Sequence, residues 1–259
     1  MPPILPHRIA CLLGKRTLTK DSIGLSSAGV YLAEDMVLKI GAPPHEADML
    51  RLLAGQLPVS ELLAWEEAQG QSYLLMTRLP GKMLCDESFL QRPELLTQRL
   101  CEAFALLWSL DIASLPCPAM TERKLALARA RVEQGLCDVT QAEADTYAPG
   151  AFASPEDLLH WLEQHRPEER LCLSHGDLCL PNILADEHGI CGFVDLGFCG
   201  AADPWQDLAL AYRSLLSNLR GEYGGPCRST APAKELFSAL GISPDPAKLR
   251  WYLLLDELF

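Results

Sequence analysis

An α+β fold in two lobes is what the chain's patterning predicts: a small strand-rich lobe over residues 1–79, then a larger helical lobe over residues 80–259. Three observations carry this. Short β-type runs split by turn residues fill the first 80 positions. Helical periodicity dominates afterwards, with only two short strands set among the helices. The chain is 259 residues long and 49% hydrophobic, enough to bury a full core.

In chain order, "GVYLA" and "MVLKIG" flank Glu34-Asp35 and predict a hairpin. Pro43-Pro44 opens a helical stretch, "HEADMLRLLAGQ", with Met49, Leu50, Leu52 and Leu53 on its apolar side and Gly55 as its stop. Two further strands are expected near Leu62–Glu66 and Tyr73–Thr77, parted by a turn at Gly70. Helices follow at about Glu94–Ser109, Glu122–Gln134, Pro155–His165, Pro204–Ser217, Ala233–Leu240 and Pro246–Leu258. Asp203-Pro204 reads as a helix start, an acid at the N-cap before proline at the first helical position. The two inserted strands are Leu171–Ser174 and Ile190–Asp195. No internal repeat and no low-complexity segment interrupts the series.

Composition excludes several functions. No apolar run reaches the roughly 18 residues of a membrane span, and the N-terminus, broken by Pro6, His7 and Arg8, does not read as a secretory signal. Ten scattered cysteines contain no C-x-x-C pair, so disulfides and structural zinc are not expected. Free thiols in apolar stretches fit a reducing, cytoplasmic location. The net charge of −12 is uneven: residues 1–80 hold 7 Lys and Arg against 8 Asp and Glu, the remainder 15 against 26. Such a surface argues against nucleic acid and suits a cationic ligand or simple solubility.

The chemistry concentrates in "SHGDLCLPNILADEHGICGFVDLG", Ser174 to Gly197. Phosphoryl transfer from a nucleotide needs a lysine for the phosphates, oxygen ligands for Mg²⁺, and a carboxylate to orient the acceptor. "HGDLCLPN" has the kinase catalytic-loop spacing H-x-D-x-x-x-x-N. Asp177 is then the proton acceptor, and Asn182 a neutral oxygen ligand for Mg²⁺. Asp195, in "VDLG", is the anionic metal ligand. The intervening residues, with Asp186, His188 and Gly189 at their turn, predict a hairpin that returns Asp195 to Asn182. Single aspartates usually cap turns; it is their joint spacing after strand-like flanks that argues for catalysis. His175 is expected to bond backbone within the loop.

Upstream, Lys39 ends the strand "MVLKI" and Glu46 follows seven residues later in the helix, placed to pair with it and aim its ammonium at phosphates. Without the downstream loop both would read as surface residues. No G-x-G-x-x-G is present; "GLSSAGV", from Gly24 to Val30, is the candidate phosphate-covering turn, with Ser26 as its hydroxyl. "YLLMTRLPG" has the form of a strand entering a hinge, where backbone near Thr77 and Leu79 would meet an adenine edge with Met76 behind it. A plain strand and turn explains those letters nearly as well.

"LSHGDLCLPNI", "GFVDLGFCGAADPWQDLALAYRSL" and "LRWYLLLDELF" closely resemble the bacterial aminoglycoside 3′-phosphotransferases, which confer resistance to kanamycin and neomycin. The likeness runs from about Gly24 to Phe259 and is densest after Leu171. It implies a two-lobed protein-kinase-like fold, MgATP as phosphoryl donor, Asp177 as base, Lys39 on the nucleotide, and Asn182 and Asp195 on the metal. By the same resemblance, the γ-phosphoryl group goes to the 3′-hydroxyl of a cationic aminoglycoside. That substrate is gripped by Glu143 and Asp145 of "TQAEADTY", by Asp256 and Glu257, and by the carboxylate of Phe259. Three anions at a helix C-terminus oppose the helix dipole unless a cation is close, which agrees. Two departures stand out. Phe198 occupies a position where family members carry arginine, a loss that Arg213 of "YRSL" is expected to offset in part. Residues 139–152 match the family's acidic loop in position more than in sequence.

Three other readings compete. A kinase of another small amine-bearing alcohol, of choline- or fructosamine-kinase type, keeps the fold but is disfavoured by "LLLDELF". A nucleotide-binding module without turnover conflicts with the presence of Lys39, Asp177, Asn182 and Asp195 together. A protein kinase would need an A-P-E motif after Asp195, where Asp203-Pro204 instead starts a helix.

Overall fold

The computed structural model describes residues 5–21, 29–140 and 142–259. In chain order its elements are α1 (His7–Leu13), β1 (Thr19–Lys20), β2 (Gly29–Ala33), β3 (Met36–Ile40), α2 (Pro44–Leu53), β4 (Leu62–Ala68), β5 (Gln71–Thr77), β6 (Lys82–Met83), α3 (Glu87–Leu90) and α4 (Pro93–Trp108). There follow α5 (Met120–Glu133), α6 (Pro155–Gln164), β7 (Cys172–Ser174), β8 (Ile183–Ala185), β9 (Ile190–Phe193), β10 (Gly200–Ala202), α7 (Trp205–Arg220), α8 (Ala231–Ala239) and α9 (Pro246–Asp256). The chain divides into two compact units, Met1–Asp86 with Pro181–Phe198, and Glu87–Leu180 with Cys199–Phe259. The first unit thus passes the expected boundary at residue 79 and takes in a late hairpin. Backbone pairing explains this: β6 pairs with β8, and Phe193 N–H donates to Pro58 O at 2.9 Å.

The first unit is built on an antiparallel sheet of order β1-β2-β3-β5-β4. The expected hairpin is present, with Gly29 paired to Ile40 and Ala33 to Met36. Glu34 takes the positive φ of 44° that its tight turn requires. Because strand side chains alternate, β3 sends Leu38 into one core and Lys39 to the opposite face. Leu38 packs with Ile9, Leu13, Ala33, Ala64, Tyr73 and Leu75. Two of those residues belong to α1, a helix absent from the elements the sequence predicts. At seven residues, α1 is too short to show a period; its buried Ile9 and Leu13 hold it.

The second unit is helical around the β7–β10 pair. Helix starts follow the sequence signals: Ser154 accepts from Asp157 N–H ahead of Pro155, and Asp245 accepts from Ala247 and Lys248 N–H ahead of Pro246. Asp203 acts similarly, its Oδ1 accepting from Trp205 N–H at 2.9 Å, although α7 begins at Trp205, one residue later than expected. The α9 helix is anchored by Trp251 and Tyr252, both fully buried, and Trp251 Nε1 donates to Leu162 O on α6. No helix among the described residues is long and apolar enough to cross a membrane.

Candidate active site

In the first unit, alternation along β3 turns Lys39 toward α2, where Glu46 sits in the first turn. Nζ donates to both Glu46 oxygens, at 2.7 and 2.9 Å, and to Asp195 Oδ1 at 3.0 Å. Lys39 is 5% exposed and Glu46 1%, so each charge would be costly without the other. Burial pulls the Lys39 pKa down, but attraction to Glu46 and Asp195 outweighs it and the ammonium is held above its ordinary value. Two carboxylates on one ammonium leave the cluster with one surplus negative charge, and Asp195 is its open member, its side chain 38% exposed.

Asp195 reaches this position through the predicted hairpin. β8 and β9 pair antiparallel, the turn is closed by Asp186 Oδ1 accepting from His188 and Gly189 N–H, and Val194 N–H donates to Asn182 O at 3.1 Å. The backbones of Asn182 and Asp195 therefore end side by side. Asp195 adopts φ 63°, a left-handed conformation that costs a non-glycine residue about 1–3 kcal/mol and concentrates at functional positions. Gly197 serves the same place by close approach: a Cβ there would lie 3.2 Å from Pro43 Cγ at the start of α2. Near the expected hinge, Thr77 N–H donates to Glu61 O at 3.0 Å and its hydroxyl accepts from Glu61 N–H at 2.9 Å. Ser26 and the turn Gly24–Val30, up to residue 28, lie outside the described residues.

In the second unit, the His-Gly-Asp turn is held from every side. Asp207 on α7 accepts from His175 N–H at 2.8 Å and Gly176 N–H at 2.9 Å. Gly176 O accepts from Lys124 Nζ at 2.6 Å and Gln206 Nε2 at 3.2 Å. Gly176 has φ 83°, which only glycine adopts without strain. Asp177 N–H donates to His175 Nδ1 at 3.3 Å, the loop-bonding role expected of that histidine. The Cys179 thiol donates to Asp177 Oδ1 at 3.0 Å, and Leu180 N–H to Ser214 Oγ at 3.0 Å. Sequence reasoning missed Lys124, Asp207, Ser214 and Gln206. A signal existed for two of them: Asp207 and Ser214 are polar residues two helical turns apart on the buried face of α7. Burial raises the Asp207 carboxyl pKa against the pull of His175 and the two amides.

The end of α9 carries the expected acids, but the structure corrects the electrostatic argument for an external cation. Asp256 is paired to Arg213, with Lys124 Nζ at 3.9 Å; Arg213 also lies 3.8 Å from Glu257. Arg131 donates to Leu258 O at 2.8 Å and Phe259 O at 2.6 Å. The protein's own cations thus stabilise this terminus. Glu257 accepts from Glu143 N–H at 3.0 Å; burial, partly offset by that bond and by Arg213, pushes its pKa to about 7. So Glu143 joins the cluster through its backbone, whereas Asp145 turns to Arg250 at 3.4 Å. Phe259 is partly exposed, its ring within 6 Å of both Lys124 and Arg131.

Lys39, Glu46, Asp195 and Asn182 belong to one unit, and Asp177 with the acidic end of α9 to the other. The model of a phosphotransferase enzyme family, APH, matches residues 17–252. The chain belongs to that family. The aminoglycoside 3′-phosphotransferase of Enterococcus faecalis is 34% identical to this phosphotransferase, covering 96% of each chain. That of Niallia circulans is 34% identical over 98% of this chain and 97% of its own. Among solved structures, an aminoglycoside-3′-phosphotransferase of type VIII aligns with TM-score 0.76 at 28% identity, covering 97% and 98% of the two chains. A choline/ethanolamine kinase family protein from Mesorhizobium loti aligns at 0.61 and 19% identity, a likeness of fold alone. The fold is the α+β, protein-kinase-like one expected from the sequence.

Proposed function

We propose that this phosphotransferase moves the γ-phosphoryl group of ATP to the 3′-hydroxyl of aminoglycoside antibiotics and so confers resistance to them. The observation that carries the reading is the buried Lys39, held by Glu46 and by an Asp195 whose backbone is strained and whose side chain stays 38% exposed. The relatives bearing the aminoglycoside 3′-phosphotransferase name over nearly the whole chain supply the acceptor.

In this reading Lys39 binds the nucleotide's phosphates, with Glu46 fixing its direction. Leu79 meets the base edge and Ser26 the phosphates. Asp195 and Asn182 would hold Mg²⁺, for which one carboxylate and one amide oxygen are a fitting donor pair, since that ion keeps several waters and binds substrate phosphates. Bound there, Mg²⁺ supplies charge neutralisation on the phosphoryl oxygens. Asp177 accepts a hydrogen bond from the acceptor hydroxyl. As that oxygen bonds to phosphorus and the bond to ADP breaks, the proton passes to the Asp177 carboxylate. Rigidity of the loop, enforced by Asp207 and Lys124, keeps this carboxylate in place at no cost during the reaction. Asp256 and Glu257 bind ammonium groups of the antibiotic, with Glu143, Asp145, Arg213 and Phe259 shaping that end of the site. Arg213 sets their charge balance in the absence of an arginine at position 198.

Incubation with MgATP and paired antibiotics tests this by mass spectrometry. Kanamycin should gain one phosphoryl group, and tobramycin, which lacks the 3′-hydroxyl, none. Equal modification of both would overturn the regiochemistry.

A further inference from the structure

Lys124 on α5 is a buried cation that the transfer chemistry itself does not use. It is 2% exposed, and an ammonium group taken out of water must be both paired and hydrogen-bonded. Its contacts join two places far apart in sequence. Nζ donates to Gly176 O at 2.6 Å, the peptide that leads into Asp177. It also lies 3.9 Å from Asp256 Oδ1 and 5.7 Å from the centre of the Phe259 ring, both at the end of α9. The Gly176 peptide needs such a hold. Its left-handed φ of 83° belongs to a residue with no side chain to wedge it in place, so its direction is set from outside. Asp207 and Ser174 fix its N–H, at 2.9 and 3.0 Å; Lys124 and Gln206 fix its carbonyl. Asp256 supplies counter-charge to Lys124 while being shared with Arg213.

We propose that Lys124 is a positioning residue that ties the acidic end of α9 to the turn carrying Asp177, so that the charge on Asp256 helps to set the orientation of Asp177. The proposal rests on the role of Asp177 as proton acceptor. It goes beyond that role by giving Asp256 an effect on the transfer step itself, in addition to any contact with a cationic acceptor. Loss of the Asp256 charge leaves the Lys124 ammonium less compensated, and its grip on the Gly176 carbonyl loosens. Loss of Lys124 frees the same carbonyl directly. Both changes act through one link, so they should not add.

A double-mutant cycle reads this. Lys124→Gln, Asp256→Asn and the double variant are compared with the wild type by rapid-quench measurement of phosphoryl transfer at saturating MgATP and kanamycin, with thermal unfolding of each. Small misplacement of a reacting group costs up to about 100-fold. Each single change should therefore lower the transfer rate constant by about 10-fold or more. The double variant should fall no more than about twofold below the slower single one, and Lys124→Arg should restore most of the rate. Multiplying single effects in the double variant, or an Asp256→Asn effect confined to KM, would overturn the link. Should Lys124→Gln not fold, the Asp256→Asn arm still decides, since an unchanged rate constant at saturation contradicts the proposal. An inactive wild type would instead count against the aminoglycoside reading. The link is then read by hydrogen exchange, with faster exchange at Gly176 and Asp177 expected in Asp256→Asn and an unchanged rate contradicting it.

Discussion

Replacing Asp207 with alanine isolates the scaffold that holds the proposed proton acceptor. Its carboxylate is 0% exposed and accepts two backbone N–H groups at 2.8 and 2.9 Å. Hydrogen bonds to a charged acceptor contribute about 1.5–3 kcal/mol each, so the pair is worth about 3–6 kcal/mol. Burial of the carboxylate, visible in its raised pKa, opposes this, and Gly176 N–H keeps Ser174 Oγ at 3.0 Å. The net cost of Asp207→Ala is about 3–4 kcal/mol, a large part of a domain's usual 5–15. Asp207→Asn retains one acceptor oxygen but sets an amide N–H against the second backbone N–H, and should cost about 2 kcal/mol. Urea unfolding followed by circular dichroism and tryptophan emission gives both numbers. The transfer rate of the folded fraction should fall in the same order. An alanine variant within about 1 kcal/mol of wild type would refute the claim that Asp207 holds the loop.

Three further outcomes follow from the same geometry. Glu257, with its pKa raised to about 7, binds more protons folded than unfolded between its ordinary value and neutrality, so its contribution declines as pH rises through that window. Relative to Glu257→Gln, the wild type should lose melting temperature from pH 5 to pH 8; a parallel response of the two would contradict the shift. Gly192→Ala would place a Cβ 2.6 Å from Pro58 O, so strain of about 1–3 kcal/mol is expected in unfolding titrations, and a neutral substitution would show that the β9 contact is loose. For the thiols, burial raises Cys172 to about 12 and Cys179 and Cys199 well above their ordinary range, whereas Cys11 and Cys227 are exposed. Iodoacetamide followed by peptide mapping should label those two first; early labelling of Cys199 would contradict its burial.

How much of this was legible depended on how local each feature is. The α4 and α6 helices announce themselves by periodicity and proline at the first turn, α9 by its Asp245-Pro246 start, and the β2–β3 and β8–β9 hairpins by alternation around turn residues. The readings of Asp177, Asn182 and Asp195 rest on a spacing that is a property of one contiguous stretch. Short elements escaped: β6 and β10 have two and three residues, and only partners about 100 and 30 positions away make them strands. The positioning groups escaped for the same reason. Lys124 meets Gly176 from 52 residues away and Asp207 meets it from 31, and no local pattern encodes such pairings. The charge of α9 was misjudged likewise, since Arg213 and Arg131 reach it from other helices.

The central claim is that Asp177 takes the acceptor's proton while Lys39 and Asp195 hold the nucleotide. Rapid-quench phosphoryl transfer to kanamycin by Asp177→Asn, alongside nucleotide affinity, tests it most directly. The account predicts a rate lower by about 10²–10⁴-fold, the usual contribution of a positioned acid or base, with nucleotide affinity unchanged. Transfer within about tenfold of wild type would contradict it.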